Sequence, residues 1–212
     1  MALSQTEPKK IYIWVEESWW QPWANTILYA PLKTDFIDTI TNTAPTIRWT
    51  SATISDGVAN LQWAWLYYST WTTPWTTPTR TISMWLNMTA QAQYNGRFMR
   101  PWWWTNDAYR RSSWQMGMWW NNEWDCWYSN LNEWNLWTLT YDGSSYTFYK
   151  NGVWKSPYNV SVSLSGDQAV FGFEWNSDWY YWKMSELIVE NVAWTAQEVA
   201  DYYNQTKVNY WL

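Results

Sequence analysis

The chain of 212 residues contains no histidine at all. Imidazole is the usual base of a nucleophilic triad and the commonest transition-metal ligand, so neither kind of centre is expected. A single cysteine, Cys126, excludes an intramolecular disulfide and leaves a thiol that is either buried and inert or reactive, with the redox compartment undecided. Lys and Arg number 13 against 18 Asp and Glu, charged residues make up 15%, and the net charge is −5. The clustered basic surface that displaces counterions from nucleic acid is therefore missing. No apolar run approaches the roughly 18–20 residues of a membrane helix, and the start, MALSQTEPKK, lacks the apolar core of a signal peptide. The expectation is no nucleic acid, no membrane insertion and no visible secretory signal. Glycine is scarce too, at 7 residues against 26 tryptophans.

What is present reads as strand and turn. In NLWTLTYDGSSYTFYKNG, residues 135–152, apolar and polar residues alternate on both sides of Asp142-Gly143, which supplies the positive φ of a tight hairpin. Asn151-Gly152 marks a second turn one strand later, followed by the short β-branched or aromatic runs VSVSLSG and QAVFGFE. KMSELIVENVA then spaces Met184, Leu187 and Val189 among polar neighbours. Thr195-Ala196-Gln197-Glu198 forms a capping box ahead of Val199, Tyr202 and Tyr203, which predicts one short helix from Thr195 to about Tyr203. Those three residues should pack on a sheet edge or on the strand Ile11–Ile13. With 47% hydrophobic residues, the length suits one large core.

The succession W-x-L-T-Y-D-G, Y-x-N-G, a Gly-containing apolar strand, S-E-L-I-V-E-N and the helix TAQEVADYY resembles the C-terminal half of laminin-G-like domains of the concanavalin A-like lectin/glucanase superfamily. TISMWLNM (81–88) and LYAPLKTDFID (28–38) are similar to earlier strands of that family. The resemblance covers roughly residues 24–208. It implies an all-β, antiparallel sandwich of jelly-roll type with one short C-terminal helix over 24–212, preceded by an N-terminal strand and linker over 1–23. Trp85, Trp137, Leu139, Phe148, Val170, Phe171, Leu187 and Val189 should lie in its core. Lys9-Lys10-Ile11-Tyr12-Ile13-Trp14 is similar to the K-x-I-Y-x-G start of phage tail and fibre proteins, with an ordinary edge strand as the plain alternative. An extracellular or virion-surface location follows from these resemblances.

Against that family pattern, Trp63, Trp65, Trp154, Trp175, Trp179 and Trp182 stand at turns or at positions where glycine is expected, and Trp is a poor residue wherever φ must be positive. One hypothesis is a recoded UGA codon, read as glycine in the source and as tryptophan here. UGG codons at Trp63, Trp154, Trp175 and Trp182 would refute it. The rival is that these rings are native stacking platforms.

Residues 39–80 are rich in Thr and Ser, and TWTTPWTTPT (70–79) reads as a Pro/Thr rim loop. Residues 90–135 mix short strands with long polar and aromatic segments. Here the resemblance places ligand contacts, on loops at one rim and on the concave sheet. The candidate patch is Arg100, Trp102, Trp103, Trp104, Asn106, Asp107, Tyr109, Arg110, Trp119, Trp120 and Asn121, with Tyr109 and Arg110 expected on an exposed loop. Planar rings stack on the C–H face of a pyranose, while Asn, Asp and Arg bind vicinal hydroxyls. The bland reading of such a stretch is core plus solvated face.

Glycosidases of the superfamily carry E-x-D-x-x-E, because two carboxyls must flank the bond to be cleaved. The nearest approach here, Glu123-x-Asp125-x-x-Tyr128, lacks the second acid, so no enzyme is expected. Glu16-Glu17 and Asp35/Asp38 read as solvated charges. The family admits Ca²⁺, but no D-x-D-x-D loop occurs, so no cofactor is expected and metal ligands are unassigned. The leading reading is a non-catalytic module that binds a glycan or a host or bacterial surface, carried in several copies by a larger assembly such as a phage fibre. A structural decoration domain without a small ligand is the second reading, and a glycoside hydrolase a distant third.

Overall fold

The computed structural model describes residues 24–48, 52–62, 64–68, 79–88, 96–100, 108–110, 115–118, 127–128, 132–154, 158–159, 169–172 and 181–210. Two antiparallel sheets face each other. The first has the order β13-β12-β11-β6-β16-β4-β3, with β1 also pairing β16 and β14 also pairing β12. Its strands are β1 (Thr26–Ala30), β3 (Ala52–Ser55), β4 (Val58–Gln62), β6 (Arg80–Met88), β11 (Trp134–Tyr141), β12 (Ser145–Lys150), β13 (Val153–Trp154), β14 (Tyr158–Asn159) and β16 (Tyr181–Glu190). The second runs β10-β9-β8-β7-β15-β5-β2. It contains β2 (Thr46–Arg48), β5 (Trp65–Tyr68), β7 (Gly96–Arg100), β8 (Ala108–Arg110), β9 (Gln115–Met118), β10 (Trp127–Tyr128) and β15 (Ala169–Gly172). A helix, α1 (Ala196–Thr206), and a 3₁₀ turn over Lys207–Tyr210 follow.

The hairpin β11–β12 forms as its alternation requires. Leu139 pairs Phe148 and Tyr141 pairs Tyr146. In the turn, Asp142 Oδ1 accepts from Ser144 N (2.8 Å) and Ser145 N (2.7 Å), while Gly143 takes φ 100°. These bonds hold the Asp142 carboxyl below its usual range. Asn151 (φ 53°) and Gly152 (φ 78°) make the next turn, both in the left-handed region that short hairpin loops favour. A Cβ on Gly152 would meet the Ala200 Cα at 3.1 Å. Gly152→Ala should therefore cost more than about 1 kcal/mol, from strain and lost helix contact together. Urea denaturation measures it, and an unchanged midpoint would contradict the close approach.

Between the sheets lies a core that includes Leu28, Leu61, Leu66, Tyr68, Met84, Trp137, Phe148, Leu187 and Val189. Of the eight expected core residues, Trp137, Leu139, Phe148, Leu187 and Val189 lie here. Val170 and Phe171 belong to β15, where only the backbone is described. Trp85 is buried on the other side of the first sheet, in a second cluster with Tyr29, Leu136, Tyr149, Ile188, Trp194, Val199, Tyr202 and Tyr210. The helix thus covers a sheet face and not an edge, which corrects the sequence expectation. The physical reason is that β6 and β16 carry large apolar residues on both faces, so the first sheet needs cover on both. The proposed alternative contact, Ile11–Ile13, falls outside the described residues.

Thr195 caps α1, accepting from Glu198 N (3.2 Å) while Glu198 Oε2 accepts from Thr195 N (2.6 Å). The helix runs three residues beyond the expected end. Thr206 secures that extra turn: its Oγ1 donates to Tyr202 O (2.8 Å) and accepts from Trp85 Nε1 (3.1 Å). Trp85 also stacks on Tyr210 at 4.1 Å between ring centroids.

Strand β16 holds an irregularity that the spacing of its apolar residues encodes. Trp182 and Met184 face the core, and so do Leu187 and Val189. The parity changes between them, because β16 shifts register against β6 between Ser185 and Ile188, and Glu186 takes φ 50° there. Trp182 is 6% exposed inside this strand, and Trp154 lies in β13. Neither has a positive φ; among the described residues such angles fall on Gly, Asn, Asp, Leu and Glu. The steric argument for recoding does not apply at these two positions. Trp63, Trp175 and Trp179 fall outside the described residues.

Candidate functional site

The second sheet carries the described members of the sequence-predicted patch. Its orientation is fixed by β5, since Leu66 and Tyr68 are fully buried in the core between the sheets. Pairing then propagates the two faces from strand to strand, because directly opposed residues share a face and successive ones alternate. Leu66 pairs Phe171, Phe171 pairs Met99, Met99 pairs Ala108, and Ala108 pairs Met118. That apolar row belongs to the core face. Tyr67 pairs Val170 and Val170 pairs Arg100, so these positions belong to the face turned away from the core.

In β8 the same logic separates two residues that the sequence reading had joined. Tyr109, next to Ala108, belongs to the outer face, as do its partners Arg97 and Gly117. Arg110, paired with Gly96 and Met116, belongs to the core face. Both lie in a strand flanked on either side by others and not on a loop, which corrects the earlier placement. The register shift between Arg97 and Met99 matters for the same reason. It inserts one residue, so that Arg97 and Arg100 share the outer face although they are three positions apart. Gln115 and Tyr128, paired across β9 and β10, complete the outer row.

Trp102, Trp103, Trp104, Asn106, Asp107, Trp119, Trp120 and Asn121 fall outside the described residues. Met99, Ala108 and Met118 stand in one cross-strand row, so the end of β7, the start of β8 and the end of β9 lie at the same end of the sheet. Arg97, Gln115, Tyr128 and Tyr67 are residues that sequence reasoning missed. The alternation of Arg/Tyr/Gln with Met/Ala/Phe in these short strands was the available signal, obscured by the extra residue in β7.

By register, the positions of Arg97, Arg100, Tyr109, Gln115 and Tyr128 fall in one row across neighbouring strands about 4.8 Å apart. Such a set suits a neutral or acidic polyhydroxyl ligand better than an electrophile. Among the described residues, no group of three or more Cys, Asp or Glu could hold a metal ion. Asp38, read from sequence as a solvated charge, is fully buried. Its Oδ1 accepts from Tyr29 N (2.9 Å) and Ile40 N (3.1 Å), and its Oδ2 from Thr41 Oγ1 (2.6 Å), so it braces the turn after β1. Asp35 is exposed and accepts from Ile37 N at 3.0 Å. Glu123 and Asp125 lie outside the described residues.

The architecture is an all-β antiparallel sandwich with one C-terminal helix. No family model matches the chain, and no curated protein does. Solved structures with the same fold include the binding domain of Paraclostridial Mosquitocidal Protein 1, with TM-score 0.67 and 12% identity over 85% of this chain and 52% of that one. Another is the botulinum neurotoxin serotype D ligand-binding domain in complex with N-acetylneuraminic acid, with TM-score 0.66 and 12% identity over 85% and 50%. A third comes from work on cell entry of botulinum neurotoxin type C through two ganglioside molecules, with TM-score 0.63 and 10% identity over 85% and 51%. The chain spans about half the length of these neighbours, and at such identity the likeness is one of fold.

Proposed function

We propose that this chain is a non-catalytic carbohydrate- or cell-surface-binding module whose ligand lies on the outer face of the second sheet and on the rim from which residues 101–107 and 119–126 depart. The observation that carries this reading is the segregation of Arg97, Arg100, Tyr109, Gln115 and Tyr128 from the apolar row Met99, Ala108, Met118 and Phe171. Arg, Tyr and Gln are residue types whose stacking and bidentate bonding suit sugars, and the register gathers their positions on one face. Support comes also from the neighbours, two of which are described with N-acetylneuraminic acid or gangliosides. Fold likeness alone does not fix function, so the residues bear the argument.

A shallow face buries little ligand area, and single-site affinity is therefore weak. Presentation in several copies raises avidity by roughly 10²–10⁴-fold, which favours a multivalent extracellular or virion-surface carrier. The pair Arg100→Ala and Tyr109→Ala should lower glycan or cell binding at least about tenfold, near 1.4 kcal/mol, with the thermal midpoint nearly unchanged. Arg110→Ala should do the reverse, shifting the midpoint and sparing affinity, because its position is on the core face. Binding lost with Arg110 and kept without Arg100 and Tyr109 would move the site.

A further inference from the structure

We infer that the C-terminal helix is a pH-sensitive latch: Glu186 and Glu190, enclosed on the side of β16 that α1 covers, must be neutral for the helix to lie flat on the sheet. The latch is tightest in acid and loosens as the pH rises toward neutrality.

Glu190 is fully buried at the end of β16, five residues before the helix cap. Thr26 Oγ1, from β1, donates to its Oε1 in a short hydrogen bond. Its Oε2 is equally enclosed and finds no hydrogen-bond partner among the described residues. The charged group that α1 brings toward it is another carboxylate, Glu198, which the capping box holds in place through Thr195 N and Oγ1. Ionised, Glu190 would sit in an enclosed space with one hydroxyl donor and a like charge. Burial, outweighing the Thr26 bond and assisted by Glu198, pushes its carboxyl up to about 7.

Glu186 is 2% exposed and is strained as well, being the φ 50° residue where β16 changes parity. Tyr202 Oη, from α1, donates to its Oε2 at 3.3 Å. The other groups that face it are Lys33 after β1, Tyr29 of β1, and Tyr210 and Asn209 of the 3₁₀ turn. Burial raises this carboxyl too, against the opposing pull of Lys33 and the Tyr202, Tyr210 and Asn209 side chains. Two carboxyls on one covered strand face therefore favour the protonated state of the docked helix.

The sign follows from proton linkage. A carboxyl whose folded value is raised binds its proton more tightly when docked, so docking is fully supported below the unfolded value of 4.5 and weakens as pH rises through about 7. Each pH unit inside that window changes the opening equilibrium by up to about tenfold per group.

Hydrogen-exchange protection factors of the α1 amides in the full chain, corrected for intrinsic exchange at each pH, read the latch directly. Protection across Val199–Tyr203 should fall at least tenfold between about pH 5 and pH 8, while Leu139 and Phe148 amides in β11 and β12 change little. Glu190→Gln should remove most of that fall, and Glu190→Gln with Glu186→Gln all of it. Protection that is independent of pH, or that falls undiminished in Glu190→Gln, would overturn the inference. Should the variants fail to fold, carbon-detected titration of Glu190 in the unaltered chain decides: a midpoint near 7 supports the latch, and one near 4.5 overturns it.

Discussion

Truncation after Ala193 is expected to leave the chain insoluble. The deletion removes Trp194, Val199, Tyr202 and Tyr210, which cover Tyr29, Trp85, Leu136, Tyr149 and Ile188 on the outer face of the first sheet. Burial of a large apolar side chain stabilises by about 1.5–3 kcal/mol, so the four together represent a large share of the 5–15 kcal/mol that typically separates folded from unfolded domains. What remains would expose a contiguous aromatic and aliphatic face over β6, β11, β12 and β16, and such a face drives association. The soluble fraction after expression, with a denaturant transition on whatever is recovered, measures the effect. A soluble product that unfolds cooperatively would contradict the role given to the helix.

Trp85→Ala should be the most damaging single substitution of those considered. The side chain is fully buried, stacks on Tyr210 at 4.1 Å and on Tyr203 at 5.8 Å, and donates from Nε1 to Thr206 Oγ1 at 3.1 Å. Truncating a buried aromatic costs about 3–5 kcal/mol through lost burial and the cavity left behind. Trp85→Phe retains a ring and forfeits the hydrogen bond, so a loss nearer about 1–3 kcal/mol is expected, although the Thr206 hydroxyl keeps its own bond to Tyr202 O. Equilibrium urea unfolding of both variants separates the two contributions. A Trp85→Ala variant within about 1 kcal/mol of the parent would show that helix and sheet are not coupled through this ring.

Much of the first sheet was legible because its signals are local. Asp142-Gly143 and Asn151-Gly152 announce their turns, Leu139 and Phe148 alternate with polar neighbours, and Thr195 with Glu198 caps the helix. The resting place of that helix was not legible, since a strand such as Arg80–Met88 that is buried along its whole length looks the same whether a helix or a second sheet covers its outer side. Asp38 was misread for a related reason: its three hydrogen-bond donors, one from β1 and two from the turn that follows, are brought together only in the folded chain. The parity change at Glu186 was written in the step from Met184 to Leu187, where strict alternation demands two residues and the chain uses three. In the second sheet, the extra residue in β7 hid the pairing that puts Arg97, Arg100 and Tyr109 on one face and Arg110 on the other. Loop membership was inferred for Tyr109 and Arg110 from polar composition, although cross-strand pairing and not composition decides a three-residue strand.

The most direct test of the proposed function is a glycan-array measurement on the unaltered chain, displayed in several copies, beside the same display carrying Arg100→Ala and Tyr109→Ala. The account predicts reproducible binding to a defined set of glycans by the first and its loss by the second, with both proteins equally folded. Absence of binding by the unaltered chain to any glycan or bacterial surface, or equal binding by both, would contradict it.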